Sequence, residues 1–107
     1  MAESFGALTE AVYYILLSLY EPMHGYGIMQ NVKALSRGRV SMGAGTLYGA
    51  ISTLVEKGWI KPLKNSGDER KKEYVITDTG KRIVKAEISR LEELIHNGRQ
   101  IYGGDML

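Results

Sequence analysis

The sequence predicts a mostly α-helical fold with one small β-hairpin wing and a long C-terminal helix. Three observations carry this reading. Apolar residues recur at helical spacing in three separate stretches before Gly58. The period then changes to two short runs, WIKPLK and KKEYVIT, joined by the turn-rich NSGDER. Beyond Thr77, a heptad seam of Val84, Ile88, Leu91, Ile95, Gly98 and Tyr102 sets in.

The first helix is read over residues 8–20 from Leu8, Val12, Ile15, Leu16 and Leu19. Thr9 or Ser4 is its candidate N-cap, and Glu21-Pro22 ends it, because the residue before proline is pushed out of the helical region. The second helix covers 25–35, with Ile28, Val32 and Leu35 on one face and Ser36-Arg37-Gly38 as its stop. The third covers 43–57 around the stripe Leu47, Ile51, Leu54 and Val55, with Ser41 placed to cap its start and Gly58 its end. The runs 59–64 and 71–77 are short strands, and Pro62 marks the first as an edge. A helix from Thr77 to Gly103 would be roughly 40 Å long. A 75-residue domain is only about 25 Å across, so part of that helix must project. Helix, helix, helix, hairpin and long helix is the winged helix-turn-helix layout, giving a winged domain over 1–76 and a dimerisation helix with its tail over 77–107.

Apolar residues make up 44 % and charged residues 24 % of the 107-residue chain, the composition of an ordinary globular domain. Without cysteine, a disulfide framework and a cysteine-based zinc site are excluded, and the apolar N-terminal run is too short and too interrupted to span a bilayer. We expect a cytoplasmic protein. The net charge of +2 hides an asymmetry: residues 33–72 carry nine Lys/Arg against three acids, whereas the flanks are net acidic. Such a segment points towards a polyanion or is a merely solvated surface, and charge alone favours neither.

The third helix separates these readings. Opposite its apolar stripe lie Gly45, Gly49, Ser52 and, at the far end, the acid Glu56, flanked by Thr46 and Thr53, so that the N-terminal part of the face is almost bare of side chains. Each interior glycine costs about 1 kcal/mol relative to alanine. A helix face bare of side chains brings the backbone close to a partner, where short hydroxyls reach base edges or phosphates. Tyr48 borders the stripe, its ring towards the core and its hydroxyl outward. Lys64, Arg70, Lys71 and Lys72 cluster at the wing, and Tyr26 and Gln30, one turn apart on helix two, sit where a helix-turn-helix crosses the phosphate backbone. His24 and His96 have no partners at metal-ligand spacing; no catalytic constellation, metal site or cofactor fingerprint is found. The seam Val84, Ile88, Leu91, Ile95 and Tyr102 is too long an apolar strip to stand in water and is assigned to a second copy of the chain. The rival reading is a winged-helix module that binds protein and not DNA.

The ordered set GTLY (45–48), LVEKGWI (54–60) and RKKEYVITDTG (70–80), with LTEAVYYILLSL and HGYGI upstream, resembles the PadR-like transcriptional regulators. The resemblance covers residues 8–100. It implies a homodimeric winged-helix protein on a pseudo-palindromic double-stranded operator, often a repressor released by a small apolar or aromatic effector. The length matches the compact branch with a single C-terminal helix. By resemblance, and by its apolar lining, the effector space lies between the paired C-terminal helices and the first helices, near Val12, Leu91 and Ile95. Leu91 stands where a drug-sensing branch carries a stacking tryptophan, so aromatic stacking at the dimer centre is not expected of this chain.

Overall fold

The computed structural model describes residues 6–63 and 71–103. Seven elements follow in order: α1 (Glu10–Ser18), β1 (Met23–His24), α2 (Gly25–Leu35), α3 (Ala44–Glu56), β2 (Ile60–Pro62), β3 (Glu73–Ile76) and α4 (Asp78–Tyr102). The fold is the expected one: three helices, a hairpin of β2 and β3, and a long last helix.

Local chemistry sets the boundaries. Thr9 caps α1, its hydroxyl accepting the Val12 N–H at 3.1 Å. Helix α2 stops where Arg37 and Gly38 take positive φ and Gly38 N–H bonds the Lys33 carbonyl at 2.8 Å. Gly58, at φ +78°, ends α3 in the same manner. Thr77 caps α4 by accepting the Gly80 N–H at 3.1 Å.

The sheet has one more strand than the sequence predicts. β3 is central, with β2 on one side and the two-residue β1 on the other, both antiparallel. Met23 faces Tyr74, and His24 faces Glu73. β1 has no sequence signature because two residues cannot show an alternation. Pro62 lies on an edge strand, where its missing N–H costs no ladder bond.

One core joins every layer. Ile15 and Leu16 of α1, Ile28 and Val32 of α2, and Leu47, Ile51 and Leu54 of α3 meet Trp59, Ile60, Tyr74 and Ile76 of the sheet region. Ile83 and Val84 complete it, so the first turns of α4 belong to the same core as the winged domain. This corrects the expected seam at its first position: Val84 is 2 % exposed within its own chain, and the uncovered strip begins at Ile88. A polar contact also pins α1 to α2, where Asn31 donates to the Ser18 hydroxyl at 2.8 Å and that hydroxyl donates to the Tyr14 carbonyl at 2.7 Å.

Gly80 is the tightest point. A Cβ there would collide with the Trp59 carbonyl oxygen and the Ile76 side chain. Its absence lets α4 descend onto the end of α3, where Thr77 N–H donates to the same carbonyl at 3.0 Å. Further along, Glu87 is a buried acid, 5 % exposed. Its carboxylate accepts two bonds from Arg90, at 2.9 and 2.6 Å, and the Leu8 N–H at 3.3 Å, which ties the lead-in of α1 to α4. Beyond residue 91, α4 leaves the body and is exposed throughout. The longest dimension of the molecule is 55 Å.

Two stability measurements follow. Gly80→Ala should lower unfolding free energy by about 1–3 kcal/mol in urea titration, the usual cost of forcing volume into a filled site. The Arg90 hydrogen bonds hold the Glu87 carboxyl below its ordinary value, against burial, with the Leu8 N–H assisting. Glu87 therefore contributes stability above the ordinary carboxylate range near about 4.3 and loses it as pH falls through its lower folded value. Glu87→Gln should destabilise the protein at pH 7, and the gap from the native protein should close as the melt is repeated at progressively lower pH.

Candidate nucleic-acid interface

The site is built on α3. Leu47, Ile51 and Leu54 are buried and fix the rotation of the helix about its axis. That rotation turns Gly45, Thr46, Gly49 and Ser52 outward, and all four are exposed. A Cβ added to Gly45 or Gly49 would meet nothing within 4 Å. These glycines do not serve close packing among the described residues, so the clearance is on the solvent side.

The start of α3 carries no side-chain cap. Gly43 is the N-cap, not Ser41, which lies too far upstream of the first helical turn. The first intrahelical bond runs from Leu47 N–H to the Gly43 carbonyl at 3.0 Å. The N–H groups of Ala44, Gly45 and Thr46 thus have no acceptor within the helix. Together with the helix dipole they make this end attractive to anionic oxygen.

Tyr48 is partly exposed, and its position depends on Gly25. Its ring and hydroxyl lie where a Cβ on Gly25 would stand, so α3 seats against the first turn of α2, and the hydroxyl, expected to point outward, is turned against the buried Gly25 backbone instead. Tyr26 and Gln30 are exposed on α2, and the Gln30 amide donates to the Tyr26 oxygen at 3.1 Å. The phenol O–H is thereby left to donate outward. His24 is the N-cap of α2: its Nδ1 accepts the Gly27 N–H at 3.1 Å. Histidine is an unusual N-cap, and the sequence reading names no cap for this helix.

On the wing, Lys71 is exposed and Lys72 half-buried at the entry to β3. Lys64 and Arg70 lie outside the described residues. On α4, Ile88, Leu94, Ile95, Ile101 and Tyr102 are exposed apolar side chains, with Leu91 half-buried among them. Leu94 and Ile101 broaden the expected strip by one heptad position and were missed because the seam was traced along a single line. The three residues assigned to an effector do not meet within one chain. Val12 lines a cleft between α1 and α3, whereas Ile95 lines a separate groove along α4 with His96 and Arg99. Among the described residues no group of acids and histidines could hold a metal ion, and no helix is long and apolar enough to cross a membrane.

A helix with one buried and one vacant face, preceded by a helix at its flank and followed by a hairpin, defines a winged helix-turn-helix domain. The model of the PadR-like transcriptional regulator family matches residues 14–86, and the chain belongs to that family. Its members are transcriptional regulators and not enzymes. The fold is similar to that of a PadR family transcriptional regulator from Eggerthella lenta, with a TM-score of 0.67 and 26 % identity over 85 % of this chain and 80 % of that one. A PadR family regulator from Clostridium difficile shares the fold at a TM-score of 0.68 and 20 % identity, over 87 % and 97 % of the two chains. An uncharacterised 37.1 kDa protein of a Streptomyces fradiae transposon is 32 % identical over 73 residues. Those residues are 68 % of this chain, which spans only about a fifth of that protein's length.

Gly49→Leu separates clearance from stability. The space around Gly49 is open and leucine is the better helix former, so stability in urea should hold or rise by up to about 1 kcal/mol. Affinity for the operator, measured by fluorescence anisotropy, should fall.

Proposed function

We propose that this protein is a homodimeric, sequence-specific DNA-binding regulator, a repressor relieved by a small apolar or aromatic effector. The observation that carries the reading is the vacant face of α3, held outward by the buried Leu47, Ile51 and Leu54 opposite, with Val55 half-buried beside them. In this reading α3 enters the major groove, with Thr46 and Ser52 reaching base edges or positioning the helix, and the uncapped helix start meeting a phosphate. Tyr26, Gln30 and Tyr48 bond the backbone beside it. Lys64, Arg70, Lys71 and Lys72 neutralise phosphates from the wing and carry no sequence information. Two copies on a pseudo-palindromic operator place two such helices in successive grooves.

The apolar surface of α4 supports the dimer. Ile101 is 90 % and Tyr102 78 % exposed, and with Ile88, Leu91, Leu94 and Ile95 they form a strip that a second copy would cover. Double substitution Ile88→Asp, Leu91→Asp should give a folded monomer in sedimentation equilibrium where the native chain is a dimer at micromolar concentration. A monomeric native protein would overturn the assembly.

The function itself is tested by salt titration on operator and random DNA, the operator being sought first in the region upstream of the gene. If four wing phosphate contacts are made per dimer, replacing Arg70, Lys71 and Lys72 by alanine should flatten the slope of log K against log salt by roughly 3 to 4. Both DNAs should weaken by similar factors. Thr46→Ala and Ser52→Ala should weaken the operator more than random DNA. An unchanged slope in the triple variant would remove the wing from the interface.

A further inference from the structure

The cleft that Val12 lines is not the space assigned to an effector from the sequence, and its chemistry is of one kind. It lies between the lead-in and first turns of α1, the C-terminal half of α3 and the tryptophan that precedes β2, with a volume of about 370 Å³. Cavities of roughly 300–1,000 Å³ are the size that small ligands occupy. Its apolar wall is made by Leu8, Val12, Ala50, Leu54 and Trp59. Its polar lining residues are Thr9, Thr53 and Lys57. No acid lines it among the described residues.

Lys57 leans on the tryptophan. Its Nζ lies 5.1 Å from the centre of the Trp59 ring, a cation–π distance. The residue is exposed, so the ammonium keeps donors for another acceptor. Thr9 spends its hydroxyl oxygen on the Val12 N–H, and its own proton remains to be donated. An apolar wall with one lysine among its lining residues is complementary to one chemical shape: an apolar body ending in one negative charge. A neutral hydrocarbon would leave the ammonium unused, and a cation would be repelled by it.

We propose that this cleft binds a small monocarboxylate with an apolar aliphatic body, the chain lying against Leu8, Val12, Ala50 and Leu54 and the carboxylate meeting Lys57. The site deepens the effector part of the proposed function and rests on it only for its regulatory meaning. It touches α3 at Ala50, Thr53 and Leu54, one helix face away from Gly49 and Ser52. Occupancy at that place bears on the seating of the DNA-facing helix.

Trp59 is the chain's one tryptophan, so its indole N–H gives a single side-chain signal in a proton–nitrogen correlation spectrum. The full-length labelled protein is titrated, without DNA, with octanoate, octan-1-ol and octylamine below their aggregation limits. Octanoate should shift the indole signal saturably. Octan-1-ol should shift it with an affinity weaker on the order of tenfold, the size of one partly exposed charge-assisted contact. Octylamine should be weaker still. Lys57→Met, on an exposed side chain, should keep a native-like spectrum and lose the preference for octanoate over octan-1-ol. Ala50→Leu, which fills the cleft, should abolish the shift with all three. The proposal is overturned if octanoate gives no saturable shift, if octylamine binds as well as octanoate, or if Lys57→Met retains the native preference. Because no DNA is present, failure here leaves the operator-binding reading intact, and failure of operator binding leaves this site intact.

Discussion

The structure depends on one helix keeping its two sides unlike. Leu47, Ile51 and Leu54 are buried so completely that α3 has no freedom to roll, and the opposite side is left empty. Everything around α3 serves that placement. The turn at Gly58 sends the chain back along the sheet, Tyr48 seats against the bare backbone of Gly25, and Thr77 closes the carbonyls at the end of the helix. A single core then holds the recognition surface at a fixed angle to the wing and to the root of α4. Rigidity at the base suits the proposed role of α3, in which the helix enters a groove as a preformed shape.

Glycine does two opposite jobs in this chain. At Gly25 and Gly80 the missing Cβ makes room for a neighbour inside the molecule. At Gly45 and Gly49 it faces open space on the solvent side. The outer pair was legible from sequence because helical periodicity placed it opposite an unmistakable apolar stripe. The inner pair was not, since each answers to a residue distant in the chain, Tyr48 or Trp59. The same division runs through the fold. Helices with three or more apolar turns, the edge strand with Pro62 and the projecting α4 could all be read from periodicity and punctuation. The two-residue β1, the histidine cap of α2 and the shift of the α3 cap from Ser41 to Gly43 depend on tertiary pairing or on a single rotamer, and no local pattern encodes them.

Helix α4 shows where periodicity misleads. Its seam is continuous from Val84 onwards, yet the structure divides it. Val84 faces the chain's own core, while residues from Ile88 onwards face outward. Glu87 stands at the division, a carboxylate kept charged by Arg90 and tethered to the Leu8 backbone. It interrupts the apolar strip where the body of the protein ends, and through Leu8 it also fixes one wall of the cleft beside Trp59. The packed part of α4 is thus tied at Glu87 to the lead-in of α1, whose Leu8 lines the same cleft as Ala50, Thr53 and Leu54 of α3.

The central claim is that the vacant face of α3 is the face that meets DNA. The chain has no cysteine, so a single cysteine introduced on an exposed position takes a label uniquely. An iron chelate tethered to Gly49→Cys should cleave operator DNA locally, at positions symmetric about the operator centre. The same reagent on Gly98→Cys, on the projecting part of α4, should leave the operator bases intact. Cleavage of equal strength from both positions, or none from Gly49→Cys while the labelled protein still binds the operator, would contradict the account.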